Sequence, residues 1–306
     1  MHDSLNGFQT IKDSNTTSRC DCHSLGKPLL EFSGLQAMLD YHSSHQTAED
    51  TIARFVSTRD NYGLLPLHWA AVGPQYSFEH KLPDYVVSER ITNTLILLLA
   101  SAPETINIPD AEGVTPFLYA VKSSALYGES THAVAKFPIR FLLEHGADAS
   151  VSDNPGRTVL HWVFDSYPRK KSTNNALLEL LVSHGAPINH LDKEGNTPLH
   201  IIANSHYMAK NPNQVQTIKF LIHHGADIKA ENLDGDTVFH VAATGELRPH
   251  YTSDGKVKRI TIEEKIRVQD ELMTILQEAA GTDDMMHQAN HAGATPRQLC
   301  AETRNK

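Results

Sequence analysis

The side chains of this chain that could bind a metal ion or transfer a proton are mostly histidines. The sequence has 19 histidines and 3 cysteines. Its compact group of soft metal ligands is the run Cys20-Asp21-Cys22-His23. Recognisable zinc sites take four ligands from two spaced clusters, and the third cysteine, Cys300, is remote in sequence from this run. We therefore expect neither a metal ion nor a cofactor.

Many of the histidines fall in two recurring sequence positions. One set follows Leu or Phe in short blocks such as Leu-His-x-Ala, and comprises His68, His161, His200 and His240. The other set precedes the Gly that ends a Leu-rich run, and comprises His145, His184 and His224. A partial positive charge at the end of a helix is favourable, which suits a structural role for the second set. No phosphate-binding loop, nucleophile elbow or His-Glu-x-x-His motif is present, so we expect no catalytic residues.

A short block that recurs along the chain must position these histidines. It has Asp or Asn, two variable residues, Gly, one further residue, and then usually Thr-Pro or Thr-Val. The copies begin with the segments 60–63, 110–113, 153–156, 192–195, 232–235 and 290–293. A short Asx side chain bonds to nearby backbone and Gly accepts a positive φ, so each segment predicts a tight turn.

Two helices are predicted to follow each turn. The Thr after the turn is a good helix N-cap, and Pro suits the first helical position. Leu, His and Ala then follow at one-turn spacing and give a narrow apolar stripe. The later Leu-rich run predicts a second helix, and its His-Gly ending suits a left-handed C-cap. One unit is therefore a turn, a short helix, a loop and a longer helix.

This pattern resembles the ankyrin repeat, whose signature is Thr-Pro-Leu-His-x-Ala. The resemblance covers residues 58–306 in about six repeats. It implies an all-α solenoid of helix-turn-helix units that are joined by β-hairpin-like turns. The motif residues that it implies to be structural are His68, Thr115, His161, Thr197, His200, His240 and Thr295. Three departures stand out: Leu65 replaces the first Thr and leaves that helix without this cap, Val159 and Val238 replace Pro, and Arg297-Gln298 replace Leu-His in the last copy.

The repeats are longer than the roughly 33 residues that are usual for the family. The additional residues lie between the two helices of each unit, at about 72–90, 122–135, 164–173, 204–213 and 244–263. These insertions form either a binding edge or tolerated loops, since a longer surface loop costs little stability. Ahead of the array we expect a flexible tail at 1–28 and a helical cap or cryptic repeat at 29–57.

Composition limits the classes of partner. The formal net charge is −9, which argues against direct binding to nucleic acid or to an anionic membrane. No apolar run reaches the roughly 20 residues of a membrane helix, and the first residues contain no apolar signal-peptide core. Three cysteines cannot form a disulfide framework. We expect an intracellular protein, either cytoplasmic or nuclear.

The resemblance implies binding to another protein rather than catalysis. We predict a protein–protein interaction adaptor or scaffold of unknown oligomeric state. The expected contact residues at the turn tips are Tyr62, Glu112, Glu194 and Leu233. Trp69 and Trp162 share one position of the first helix with Tyr119, where they either pack in the core or become binding hot spots.

Two alternatives stay open at this point. The protein could be a regulatory subunit that sequesters or co-regulates a transcription factor or a pathway enzyme, and the basic run Arg169-Lys170-Lys171 would then serve nuclear import. It could also be an enzyme whose active site is built from the insertions at 72–90 and 244–263. The sequence shows no convergent polar groups in those insertions.

Overall fold

The computed structural model describes residue 54 and residues 56–72, 84–127, 132–165, 175–204, 212–244, 250–251, 257–258 and 261–304. The chain divides into two compact units, one of residues 1–124 with 131–147 and one of residues 125–130 with 148–306. The tail expected at 1–28 lies outside the described residues. So does almost all of the cap expected at 29–57.

The first unit is built from paired helices. Its elements are α1 (Pro66–Val72), α2 (Asp84–Ser101), a 3-10 helix (Pro103–Asn107), α3 (Pro116–Tyr127, whose last turn belongs to the second unit) and α4 (His132–Glu144). Helix α2 packs against α1 and α4. The core side chains include Leu67, Leu95, Phe117, Ile139 and Leu142, all of which are buried. The Leu-rich runs of the sequence therefore form the inward faces of the helices, because burial of apolar area stabilises the packed pair.

The second unit repeats one arrangement of a short and a longer helix. Its elements are α5 (Val159–Asp165), α6 (Asn175–Ser183), α7 (Pro198–Asn204), α8 (Pro212–His223), α9 (Val238–Thr244), α10 (Ile262–Ala280), a 3-10 helix (Asp284–Met286) and α11 (Pro296–Arg304). The short helices α5, α7, α9 and α11 pack side by side in that order. Helix α8 lies against α7 and α10, and α10 lies against α9. The short helices thus form one layer, and α8 and α10 belong to a second layer.

Each repeat begins with a turn that an Asx side chain holds. In the turn at Asp110, the Oδ1 atom accepts hydrogen bonds from the N–H groups of Glu112 and Val114, at 2.9 and 2.8 Å. The N–H of Gly113 donates to the Asp110 carbonyl at 3.3 Å. Two of the turns also close with an antiparallel bridge between single residues, Ser152 with Thr158 and Glu231 with Thr237. These features give the turns their hairpin-like geometry.

The all-α class is confirmed, with one small addition. Residues His250–Tyr251 (β1) and Val257–Lys258 (β2) pair antiparallel within the insertion at 244–263. The insertions do lie between the two helices of each repeat, although helices extend into them: α2 begins at Asp84, and α3 continues to Tyr127. Their remaining residues, at 73–83, 128–131, 166–174, 205–211, 245–249, 252–256 and 259–260, lie outside the described part of the chain.

Helix α10 has well-formed ends. The Thr261 hydroxyl accepts a hydrogen bond from the Glu264 N–H at 3.2 Å, and the Glu264 carboxylate accepts one from the Thr261 N–H at 3.3 Å. This reciprocal capping box stabilises the first turn. At the other end, Gly281 takes a left-handed conformation with φ of 68°. Among the described helices, none combines the length and the apolar character that crossing a bilayer requires.

Candidate functional site

The histidines of the short helices use both ring nitrogens inside the fold. Nδ1 of His200 accepts the N–H of Thr197 at 3.2 Å, and the Thr197 hydroxyl lies 2.8 Å from the same atom. Because Nδ1 is an acceptor, the ring hydrogen is on Nε2, which donates to the carbonyl of Asp236 in the next repeat at 3.2 Å. The same arrangement joins His161 to Asn196 and His240 to Ala294. These rings connect successive repeats and have no nitrogen left for a ligand.

Burial favours the neutral form of His68, His161 and His200. The side chains of His68, His161 and His200 are almost completely inaccessible to solvent. Desolvation by the surrounding protein lowers the pKa of each of the three rings below the usual value. A neutral ring that is closed off from solvent cannot act as an accessible acid or base at neutral pH.

Three copies that depart from the motif keep part of this arrangement. Leu65 lacks the Thr hydroxyl, so the first helix has no cap from this side chain, but the Leu65 N–H still donates to Nδ1 of His68 at 3.0 Å. In the last copy, the Thr295 N–H donates to the Gln298 side-chain carbonyl at 2.9 Å, and the Gln298 N–H donates to the Thr295 hydroxyl at 3.3 Å. Gln therefore reproduces the local capping that His provides. In the second copy, Leu118 occupies the position of the motif that His has elsewhere. Its N–H donates to the Thr115 hydroxyl at 3.4 Å.

The histidines that precede Gly have a different role. Nδ1 of His145, of His184 and of His224 lies 2.8 Å from the carbonyl oxygen four residues earlier in each case. Each of these carbonyls also accepts the backbone N–H of the same histidine, so the ring adds a second hydrogen bond at the end of the helix. Within the described residues, no group of three or more His, Cys, Asp or Glu side chains is placed to hold a metal ion. Cys20, Cys22 and His23 lie outside those residues.

In the first unit, the turn tip and α1 present exposed aromatic side chains. Tyr62 is 62% exposed and Trp69 is 39% exposed. The Tyr62 carbonyl accepts the Ala111 N–H of the following turn at 3.3 Å, which ties the two tips together. Glu112, at the tip of that following turn, is exposed as well. The two turns that carry Tyr62 and Glu112 are therefore joined by a backbone hydrogen bond.

Sequence reasoning missed a bond between the turn and the aromatic position of the short helix. The Trp69 indole N–H donates to Oδ2 of Asp60 at 3.2 Å, and the Tyr119 hydroxyl donates to Oδ2 of Asp110 at 2.8 Å. Burial, together with this bond to Asp110, raises the pKa of Tyr119. The signal that could have revealed the bond is the constant spacing of nine residues between the Asp and the aromatic residue.

In the second unit, the tips form a ladder of backbone hydrogen bonds. The Lys193 N–H donates to the Pro155 carbonyl at 2.8 Å, and the Leu233 N–H donates to the Glu194 carbonyl at 3.0 Å. The His291 N–H continues the ladder to Asp234 at 3.0 Å. Leu233 is 69% exposed, and Glu194 is exposed too. An apolar and an acidic side chain thus occupy neighbouring, rigid tips.

Trp162 does not offer the contact surface that the sequence suggested. It is only 7% exposed, and the Arg157 guanidinium lies 3.9 Å from the centre of its ring. Arg157 also forms an ion pair with Asp153 at 2.9 Å. The Trp162 ring therefore packs inside the protein, beneath an arginine that the buried Asp153 carboxylate holds in place.

The comparison with known families agrees with this geometry. A family model described as ankyrin repeats (3 copies) matches residues 166–248. No curated protein matches the chain. The predicted number of about six repeats exceeds the three copies of that model and stays a prediction. The matched residues contain the turns at 192–195 and 232–235 with their histidine connections, and this part of the chain is built of ankyrin repeats.

Proposed function

We propose that this protein is a non-catalytic adaptor or scaffold that binds another protein through its turn tips. Ankyrin repeats form a protein–protein interaction module, which is the general function that the family supports. The contact residues in this proposal are Tyr62, Trp69 and Glu112 in the first unit, and Glu194 and Leu233 in the second. Trp162 is left out because it is buried.

The observation that carries the proposal is the exposure of large apolar side chains on a rigid backbone. Tyr62 and Leu233 lie at turns whose backbone groups are already bonded to the neighbouring turn. Exposed tyrosine and tryptophan side chains are the types most enriched among binding hot spots. Ordering a flexible loop on binding costs free energy, and a fixed turn avoids that cost.

The charge at the tips indicates the chemistry of the partner. Glu112, Glu194 and Asp234 are exposed at these turns, and the whole chain has a formal charge of −9. An acidic surface attracts a basic one and repels nucleic acid and anionic lipid. We infer a protein partner with basic residues around an apolar patch. We also infer an intracellular location, because Cys300 is a buried free thiol, which suits a reducing compartment.

The test is affinity purification with crosslinking from cells that express the protein. One variant combines Tyr62→Ser with Leu233→Ser, which removes both apolar tips. The control combines Ile96→Ser with Ile262→Ser, which replaces two exposed apolar residues away from the turns, on α2 and at the start of α10. We expect the tip variant to lose the partner and the control to keep it. Equal capture by both variants would show that the tips are not the binding surface.

A further inference from the structure

The Asx side chain that begins each turn has two polar atoms, and one of them is used in the same way throughout. In the turns that begin at 60, 110, 153, 192, 232 and 290, Oδ1 accepts the backbone N–H of the residue four positions later. The second atom is Oδ2 in Asp and Nδ2 in Asn. Its partner differs from turn to turn, and this difference sets one turn apart.

In three turns, Oδ2 accepts a hydrogen bond from a side chain of its own repeat. The three donors are Trp69 to Asp60, Tyr119 to Asp110 and Arg157 to Asp153, at 3.2, 2.8 and 3.0 Å. The aromatic donors follow the Asp by nine residues and the arginine follows it by four. Each of these carboxylates therefore has both oxygens engaged inside the protein.

The two turns that begin with Asn bond to the preceding repeat instead. Nδ2 of Asn232 donates to Oδ1 of Asn196 at 3.0 Å. Nδ2 of Asn290 donates to Oδ1 of Asp236 at 2.6 Å. These side chains, too, have both polar atoms engaged.

Asp192 differs from the other five. The residue four positions later is Asn196, whose side-chain amide donates to Glu194 at 3.2 Å. The residue nine positions later is Ile201, which has no side-chain donor. Within the part of the chain that the structure describes, no group donates to Oδ2 of Asp192. This oxygen is therefore open to a donor from outside.

The open oxygen is accessible and its position is fixed. Asp192 is partly exposed, as is Ile201, whereas Asp110 and Asp153 are buried. Burial lowers the pKa of His161 and of His200, and the charge of Asp192 acts in the opposite direction on both rings. The carboxylate thus lies beside the short helices α5 and α7, and the two backbone N–H groups that bond to Oδ1 hold it there.

We propose that Oδ2 of Asp192 binds a lysine ammonium group of the partner protein, in the turn next to the one that carries Leu233. This inference rests on the proposed function and adds a specificity-determining residue to it. Arginine binds a carboxylate best through two oxygens at once, and here Oδ1 is already occupied. An ammonium group needs only one oxygen, which favours lysine. Exposed Glu194 adds a second negative charge to the same turn.

One test of the open oxygen needs no partner. Ile201→Tyr supplies the donor that Tyr119 provides to Asp110, so it should raise the free energy of unfolding in urea. In an Asp192→Asn background the gain should shrink, because the charged acceptor is missing. A double-mutant cycle over the two positions measures this coupling. Absence of coupling would contradict the assignment of an open carboxylate oxygen.

The binding test uses random-sequence peptides that are displayed on phage and selected on the immobilised full chain. Selected peptides are synthesised with fluorescein, and fluorescence anisotropy measures their affinity. We expect peptides that contain lysine and whose affinity falls roughly tenfold or more for Asp192→Asn, since a charge-assisted hydrogen bond is lost. Replacement of that lysine by alanine should weaken binding to the wild type and leave binding to Asp192→Asn unchanged.

The variant and its control are matched in charge. Asn holds the equivalent turns at 232 and 290 through Oδ1, so Asp192→Asn should keep its turn, and circular dichroism checks that it folds. Glu179→Gln removes the same charge from an exposed position on α6 and should change the affinity by less than about twofold.

Other outcomes would overturn the inference, and they separate it from the proposed function. If the peptides require Tyr62 or Leu233 but bind Asp192→Asn as tightly as the wild type, the inference is wrong and the proposed function stands. If Asp192→Asn and Glu179→Gln weaken binding equally, only the overall charge matters and the inference is again wrong. If no peptide is selected, or none depends on any of these turns, both fail.

Discussion

At the scale of single residues, the buried histidine of each short helix is the connecting element between repeats. His161 and His200 each join their own turn to a carbonyl of the following repeat. Protonation of Nδ1 would remove its ability to accept the backbone N–H. Such a histidine stabilises the fold only in its neutral form, which makes stability dependent on pH.

We predict that the free energy of unfolding falls as the pH is lowered from 7.5 to 5.5. The pKa of His68, of His161 and of His200 is lower in the folded state than the usual 6.5, so the unfolded chain binds more protons below that pH. The stabilisation is complete above about pH 6.5 and is lost progressively toward the folded pKa, by up to about 1.4 kcal/mol per pH unit for each ring. Urea unfolding at three pH values measures it.

The control for this prediction is His200→Gln. Gln298 shows that Gln can replace the local hydrogen bonds of this histidine. The variant should fold at pH 7.5 and lose less stability on acidification than the wild type, since it lacks one of the titrating rings. The same pH dependence in both proteins would contradict the assignment.

At the scale of elements, the turns can be tested with a matched pair of glycines. Gly195 and Gly185 both have a positive φ, of 78° and 89°. A Cβ atom on Gly195 would lie 2.8 Å from the Leu233 backbone nitrogen, whereas a Cβ atom on Gly185 would meet no atom within 4 Å. Gly185→Ala should cost about 1–2 kcal/mol from backbone strain alone. Gly195→Ala should reduce the free energy of unfolding by more, because the new Cβ atom also pushes two neighbouring turns apart. Chemical denaturation measures both losses. Equal losses for the two variants would show that the contact between the turns is unimportant.

The packing of the short helices gives a second prediction for an element. Leu199 in α7 is 1% exposed, whereas Leu191, just before the turn, is 51% exposed. Leu199→Ala should cost about 2–5 kcal/mol, because it leaves a cavity in the core. Leu191→Ala should change stability by less than about 0.5 kcal/mol. A loss for Leu199→Ala well below 1 kcal/mol in urea unfolding would contradict its place in the core.

The elements were largely predictable, because the repeat places each type of residue where local chemistry needs it. Asx, Gly, Thr and Pro mark each turn and helix start, and the helices at Pro198 and Val238 begin where the motif places them. The ends of the insertions were not predictable. Helix α2 begins earlier than expected, at Asp84, and a short ribbon forms at 250–258. Neither segment repeats elsewhere in the chain, so no internal comparison could reveal it.

At the scale of the whole molecule, the candidate site was only partly predictable. Exposure of Tyr62 and Leu233 follows from their place within a turn. Trp69 and Trp162 hold the same position in the motif, but among the described residues an arginine covers the ring of Trp162 and none covers that of Trp69. Whether such an arginine covers the ring depends on side-chain packing, which the periodicity of the sequence does not encode.

We propose above all that this protein binds another protein through its turn tips. Hydrogen–deuterium exchange of the purified complex with the captured partner tests it most directly, because backbone amides report where the partner lies. We predict slower exchange in the segments 60–63, 192–195 and 232–235 and unchanged exchange in the longer helices α2 and α8. Protection confined to α2 or α8, with the turns unaffected, would contradict it.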